Sequence, residues 1–406
     1  MTILTIIGTF AGVASAIATI LQLGKTNSGK DIEKHKNKET PVKPIEEPTE
    51  KPPALPDISF IYPDHPLDIN SPLYIERPPR ESLCYERILK TSALIRIKAP
   101  KQFGKTSLMD RILHHASQKG YKTVRLNLTR LDDQFLTSLD QFLKWLCNRI
   151  AAKLKVASKV DGFWDDKNTG SMINCTNYFQ EHLLSLETPL VLAFDGVDKL
   201  FQYSEISQNF FPLLRTWHEE SNNIEIWGQL RLILTHSTSA YIPLSINVSP
   251  FNVGLPIELQ ELNREQAWQL VQRYQITKLS INHLDQLMAM VGGHPFLIQL
   301  ALYYIKRQDF SLAEILQTAV SKEGIYINHL DEYLHYVQSD ATLNDLLKKV
   351  VFAKEKIQVD NQQLIPAYKL NSKGLVKMSG SDIEISCDLY RQYFQKTLNR
   401  VGSSQN

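Results

Sequence analysis

Four residues, Gly104, Lys105, Thr106 and Ser107, follow an apolar run and open a helical one in "IKAPKQFGKTSLMDRIL" (97–113). A glycine, a lysine and a hydroxyl in that order, at a strand-to-helix turn, make an anion cradle. Successive backbone N–H groups, here those of Phe103 to Ser107, point at phosphate oxygens with a helix N-terminus behind them. The lysine reaches the outer phosphates, and the hydroxyl of Thr106 is placed to ligate Mg²⁺. The outermost glycine of such loops is replaced by Ala99, and Pro100 follows it. At the point where the loop leaves the strand, a negative φ makes alanine tolerable and no N–H is required.

A second candidate lies in "LVLAFDGVDKLF" (190–201). Asp195 ends an apolar strand, where a carboxylate holds Mg²⁺ through water. The position after it, which commonly carries a glutamate that polarises the attacking water, is Gly196. Asp198 is then either the substitute base or a helix cap. In "RLILTHSTS" (231–239), His236 or Ser237 is either a sensor of the terminal phosphate or a polar strand end. In "VGGHPF" (291–296) a Gly pair and a Pro interrupt a helical pattern. That segment is either a helix–helix turn or a place where His294 and Pro295 line an adenine or ribose.

The elements that must position these groups alternate. Strands are expected at 93–99, 121–128, 189–198 and 229–237, with helices after the loop and at 139–154. Alternation of this kind implies a parallel sheet with ligands at the carboxyl ends of its strands. After Asn263 the pattern becomes helical. From about Thr342 it runs helix, helix, short hairpin, helix, the order of a winged-helix module. The expected fold is therefore α/β: a parallel sheet carrying the phosphate loop, then a helical part, then an order of elements that fits a winged helix. Its domains are expected at 57–262 (core), 263–338 (lid) and 339–400 (winged helix).

Ahead of them stand residues 1–24, expected as a transmembrane helix, without a charged side chain from Thr2 to Gly24. As a helix, residues 3–23 would be ~31 Å long, enough to cross a hydrocarbon core. Lys25, Lys30, Lys34, Lys36 and Lys38 follow it. The positive-inside rule then puts the bulk of the chain in the cytoplasm, membrane-anchored by a single pass. Gly8, Gly12 and nearby small residues would allow close helix packing. Residues 25–56, rich in Lys, Glu and Pro, read as an extended linker.

The bulk numbers agree with a globular protein: 406 residues, 43% apolar, 22% charged, and a net charge of +2 that argues against a dedicated nucleic-acid binder. Cys84, Cys147, Cys175 and Cys387 form no CxxC pair. Their spacing fits neither a zinc site nor a disulfide framework, which points to a reducing compartment.

Several segments in order, "YIERPPRESLCYE", "ALIRIKAPKQFGKTSLMDRIL", "PLVLAFDGVDKLF", "FPLLRTWHE", "VGGHPFLIQLALYY" and "CDLYRQYF" among them, resemble the AAA-like ATPase domain of bacterial, largely cyanobacterial, multidomain proteins. The likeness runs from about Ser71 to Leu398. That family is similar to the STAND signalling ATPases, with their NACHT and NB-ARC branches. The resemblance implies a P-loop NTPase parallel sheet with a helical lid and a C-terminal winged helix, and ATP and Mg²⁺ as cofactors, with Gly104, Lys105, Thr106 and Asp195 on the nucleotide and metal positions. "GGHP" looks like the Gly-x-Pro turn by which NB-ARC lids meet the nucleotide. "DGVD" looks like the NACHT arrangement of a small residue and a later acid, so slow hydrolysis through Asp198 is implied.

Three functions follow as expectations. The first is a membrane-anchored ATP switch in signalling, in stress or defence, which forms homo-oligomers on activation by a trigger that no motif names. No nuclease, protease or TIR-like effector motif is present. The second is a DNA-binding regulator, disfavoured because "SCDLYRQYFQKTLNR" carries only Arg391, Lys396 and Arg400 as basic residues. The third is a scaffold that binds nucleotide without hydrolysing it.

Overall fold

The computed structural model describes residues 61–165, 168–237 and 249–398. Residues 56–406 form a compact unit of their own. The expected strands and helices of the first half are present. Helix α1 (Arg80–Ile88) precedes strand β1 (Leu94–Lys98), helix α2 (Lys105–Gln118) and strand β2 (Lys122–Asn127). Helices α3 (Leu139–Leu154), α4 (Val160–Phe163) and α5 (Ser171–Tyr178) lead to β3 (Leu190–Asp195). Helix α6 (Ser204–Glu220) is followed by β4 (Leu230–His236) and β5 (Leu255–Glu258). The five strands form one parallel sheet in the order β2-β3-β4-β1-β5. Strand β4 therefore lies between the strand that feeds the loop and the strand that ends in Asp195.

The sheet is covered on both faces, which is why β3 and β4 are apolar over nearly their whole length and buried at every position. Alternation sorts their side chains. Leu190, Leu192 and Phe194 join Leu230, Leu232 and Leu234 in a cluster with α3, α5 and α6. Val191, Ala193 and Ile233 face Leu108, Met109 and Ile112 of α2 and Cys84 and Ile88 of α1. Cys147 and Cys175, distant in sequence, meet at 3.6 Å as free buried thiols.

The second half is helical, as its periodicity predicts. Helices α7 (Arg264–Arg273), α8 (Ile281–Val291), α9 (Pro295–Arg307), α10 (Leu312–Thr318) and α11 (Ile327–Gln338) follow one another. Capping boxes start three of them, at Asn263, Ser280 and Ser311, each reciprocally bonded to the residue three further on. Then come α12 (Ala341–Phe352), β6 (Ile357–Gln358), α13 (Leu364–Lys373), the hairpin β7 (Val376–Ser379) and β8 (Asp382–Ile385), and α14 (Asp388–Leu398). The expected helix, helix, hairpin, helix order is there. Strand β6 pairs with β8 to make a three-stranded antiparallel sheet, β6-β8-β7. All these helices share one apolar cluster, and Leu73 and Ile75 from the segment ahead of α1 are embedded in it.

The expectation of a single-pass, membrane-anchored protein is corrected. No helix among the described residues is long and apolar enough to cross a membrane. The longest of them, α6, has 17 residues and carries Glu205, Arg215, Glu219 and Glu220, whereas a span needs about 20 mostly apolar ones. Thr2–Gly24, on which the expectation rested, and the linker at 25–56 lie outside the described residues.

Candidate functional site

The loop 99–104 leaves β1 and opens α2. Ala99 is buried and its N–H donates to the His236 carbonyl at 3.2 Å, so it continues the sheet for one more residue and needs no glycine freedom. Gly104 is the N-cap of α2 with φ 93, and no side chain caps the helix. The first intrahelical bond runs from Leu108 N–H to the Gly104 carbonyl at 3.0 Å. The preceding amides of the first turn are thus left for a ligand, the arrangement that binds phosphate. These amides border a cavity of about 230 Å³ lined by residues 102–107. Its lining also includes apolar Leu73, Ile75, Leu262, Leu270, Pro295 and Phe296, together with polar Asp64, His65, Arg77 and Gln299. An anion cradle facing a slot of this composition fits a nucleotide, phosphates at one end and base at the other.

Arg77, which the sequence did not single out, lies over this loop. It is buried, donates to the Phe103 carbonyl at 2.9 Å and to the Gln260 carbonyl at 3.3 Å, and a Cβ on Gly104 would lie 3.0 Å from its Nη2. Its own N–H donates to both oxygens of Glu81 at 3.0 Å, and Tyr74 donates to Glu81 at 2.9 Å. Burial pulls the Arg77 guanidinium below its ordinary range, with Tyr74 and Glu81 opposing the shift.

Lys105 donates to the Ala99 and Pro100 carbonyls at 2.8 and 2.9 Å. Burial pushes its ammonium down to about 8, against the pull of Asp198 and Asp195. The Thr106 hydroxyl donates to Asp195, 3.1 and 3.3 Å from its two oxygens. Asp195 also accepts from Arg125 Nη2 at 2.9 Å and from the Thr235 hydroxyl at 2.8 Å. Arg125 is itself clamped by Asp110 at 2.8 Å. A hydroxyl and a carboxylate held this close are hard oxygen donors, a set that suits Mg²⁺ shared with phosphate and water.

The positions after Asp195 are explained by local space. Gly196 has φ 75 and ψ 52, and its N–H donates to Thr235 at 2.9 Å. A Cβ there would lie 2.3 Å from Thr129 Cγ2. No side chain fits, so the glutamate usual at this place is excluded sterically. Gly196→Glu is expected to lower stability by about 2–4 kcal/mol, from left-handed strain and overpacking. Thermal unfolding checks this, and Thr129→Ala should recover only the steric share. An unchanged melting temperature would contradict the stated cause.

Asp198 sits in a short 3₁₀ turn, Val197–Gln202, and both its oxygens accept from the Ser237 N–H at 2.8 Å. It thus ties the turn to the end of β4 and acts electrostatically on Lys105. Alternation along β4 puts Thr235 on the Asp195 face and His236 on the other. The His236 ring is buried and packs edge-on against Phe251, centroids 5.3 Å apart. Thr235 is the β4 side chain that bonds to Asp195, one residue before His236 and two before Ser237, the positions named from the sequence. Pro295 lines the cavity, whereas His294 lies outside its lining. His294 is buried between Phe103 (centroids 4.7 Å) and His329 (6.0 Å), with no hydrogen-bond partner on either ring nitrogen among the described residues. Burial holds it well below the usual histidine range, with His329 adding to the shift.

A protein-family model described as "AAA-like domain" matches residues 62–396. An uncharacterized WD repeat-containing protein of Synechocystis sp. is 22% identical over 354 residues, which are 82% of this chain and 29% of that protein. The chain thus spans under a third of the length of this relative. Among solved structures, a Walker-type ATPase of Pyrococcus abyssi superposes with a TM-score of 0.54 at 12% identity, over 79% of this chain and 96% of that one. The ORC2 protein of Aeropyrum pernix, in ADPNP–ADP complexes, gives 0.46 at 14% identity, over 80% and 97%.

Proposed function

Since the chain belongs to the AAA-like domain family, we propose that it is a nucleotide-gated switch of the STAND kind, which binds ATP with Mg²⁺, hydrolyses it slowly and assembles with copies of itself in the ATP state. The observation that carries this is the uncapped start of α2 at Gly104 bordering a cavity that apolar side chains line in part. In this reading the amides of Phe103 to Ser107 hold the phosphates and Lys105 turns from the Ala99 and Pro100 carbonyls to the outer ones. Leu73, Ile75, Pro295 and Phe296 enclose the base. Thr106 and Asp195 hold Mg²⁺, which when bound neutralises phosphate charge. Arg125 and Thr235 fix the Asp195 carboxylate. Asp198 is the available acid nearest the place of the missing glutamate. Its engagement by the Ser237 amide supports a weak base and slow turnover.

Gating needs a mechanical link from the loop to the rest of the chain, and two contacts of Lys101 support such a link. The Lys101 N–H donates to the Ser372 carbonyl at 3.0 Å, and its ammonium pairs with Glu332. Residues 263–338 are read as the lid and 339–400 as a winged helix that rides on the loop through α13. A nucleotide shifts such a balance only by binding the two arrangements unequally. Sizing of the full chain by light scattering with ATP·Mg²⁺, with ADP and without nucleotide tests the reading. A larger assembly with ATP alone is expected. The same mass in all three conditions would count against gated assembly.

A further inference from the structure

Arginines from two different helices hold the segment ahead of α1. Residues 62–75 form no helix or strand, so side chains from elsewhere must satisfy much of their backbone. Arg111 lies on α2, one turn after Ser107, and is buried. It donates to the Leu67 carbonyl at 3.4 Å, to the Asp68 carbonyl at 2.8 Å and to the Ser107 carbonyl of its own helix at 3.1 Å. Its guanidinium carbon lies over the Tyr74 ring, 3.7 Å from the centroid. The Ser107 hydroxyl adds a bond of its own, accepting from the Leu67 N–H at 3.0 Å. From α7, Arg273 donates to the Pro72 and Tyr74 carbonyls at 2.7 and 2.5 Å. Tyr62 packs edge-on against Tyr303 of α9, centroids 5.3 Å apart.

The segment so held is a wall of the cavity at the phosphate loop: Asp64, His65, Leu67, Leu73, Tyr74 and Ile75 all line it. Arg111 itself lies outside that lining. Its effect on a ligand there is therefore indirect, through the wall residues it seats. Hydrogen bonds from a guanidinium to carbonyls are stronger than neutral ones, and a cation over a desolvated ring adds to them. Without Arg111, the bond from Leu67 N–H to Ser107 remains as a neutral tie to α2. A base is held by the walls that enclose it, so a wall seated only part of the time lowers the apparent affinity by that fraction. Phosphates on the amides of residues 103–107 do not depend on that wall.

We propose that Arg111 is a positioning residue that seats residues 62–75 as a strap along the cavity, and that the strap sets how tightly the base and sugar of a nucleotide are held and how fast they leave. This rests on the nucleotide reading above and concerns the base end of that site rather than its phosphates. One side chain on the helix that starts at the phosphate loop thereby ties that loop's own helix to the wall that encloses the base.

The test is displacement of a ribose-labelled fluorescent ATP from the full chain by unlabelled ATP and by inorganic tripolyphosphate, each with Mg²⁺, for the unaltered protein, Arg111→Met and Arg111→Lys. Tripolyphosphate carries the phosphates without base or sugar, so the ratio of the two affinities isolates what the strap holds. A strap seated about one tenth of the time predicts about tenfold weaker ATP binding for Arg111→Met and about tenfold faster release of the labelled nucleotide in a chase. Tripolyphosphate binding should stay within about threefold of the parent's. Arg111→Lys, which keeps the charge, should fall between parent and Arg111→Met. Circular dichroism and the melting temperature confirm that the variants fold. Should Arg111→Met not fold, Arg273→Met, which frees the strap at Pro72 and Tyr74, is read in the same way. Equal losses for ATP and tripolyphosphate, or unchanged ATP affinity and release, with the unaltered chain binding ATP, would overturn this inference and leave the nucleotide site standing. Absence of ATP binding to the unaltered chain would remove the nucleotide reading, and this inference with it.

Discussion

Lys105→Ala weakens ATP binding by roughly 10²- to 10³-fold, the sum of one or two charge-assisted contacts to the outer phosphates. The melting temperature of the nucleotide-free protein should move little. Two hydrogen bonds, to the Ala99 and Pro100 carbonyls, are lost on one side of the balance. On the other side, an ammonium that burial already pushes down to about 8 is no longer held away from water. The two changes oppose each other, so a large loss of binding with a small change in stability is the signature expected. Calorimetric titration and thermal unfolding of the same samples measure both. A variant that bound ATP as the parent does would mean that Lys105 faces only its own loop.

Asp195→Asn has the other large effect, and on a different observable. The parent is expected to bind ATP more tightly with Mg²⁺ than without it. The asparagine removes the charge that favours the cation, a contribution of several kcal/mol in such sites, and Mg²⁺ should then give about tenfold or less. The amide oxygen still accepts from Thr235 or Arg125, so the side chain keeps part of its place. Arg125 loses the carboxylate at 2.9 Å but retains both oxygens of Asp110 at 2.8 Å, which limits the damage to the fold. Titrations with Mg²⁺ and with a chelator make the comparison. Retained Mg²⁺ dependence would show that Asp195 serves only to anchor Thr106 and Thr235.

What the sequence made legible was whatever one segment decides by itself. A continuous apolar run such as "LVLAF" has one sensible place, a strand covered on both faces, and Asp195 at its end goes to the sheet's carboxyl edge. Gly104 to Ser107 lie on a turn whose geometry their own types dictate. Capping residues at Asn263, Ser280 and Ser311 mark helix starts with no help from the fold. Alternation was the readable signal left unused. Counting back by twos along β4 puts Thr235, not His236, on the face of Ile233 and Ala193, but only the pairing of β3 with β4 says that this is the Asp195 face.

The rest depends on meetings between distant segments. Arg77 belongs to a stretch that packs partly with the helical cluster and reaches the loop 26 residues later. The Ser372 carbonyl, which accepts from the Lys101 N–H, arrives from α13. His294 illustrates the opposite case: its neighbour Pro295 is in the cavity lining, but the packing of α9 turns the imidazole behind Phe103 instead. Gly196 read as a missing catalytic residue, and in three dimensions it is also the one residue type that fits beside Thr129. The membrane expectation rested on a segment outside the described residues, and none of the described helices supplies a span.

The central claim is that a nucleoside triphosphate lies on the amides of Phe103 to Ser107 with a divalent cation between Thr106 and Asp195. Isothermal titration of the folded full chain with ATP and with GTP, in Mg²⁺, measures this most directly. Saturable uptake of ATP near one per chain is expected in the micromolar range, about −8 kcal/mol, weakened by Lys105→Ala to roughly 0.1–1 mM. Folded protein that takes up neither nucleotide at about millimolar concentration would contradict it.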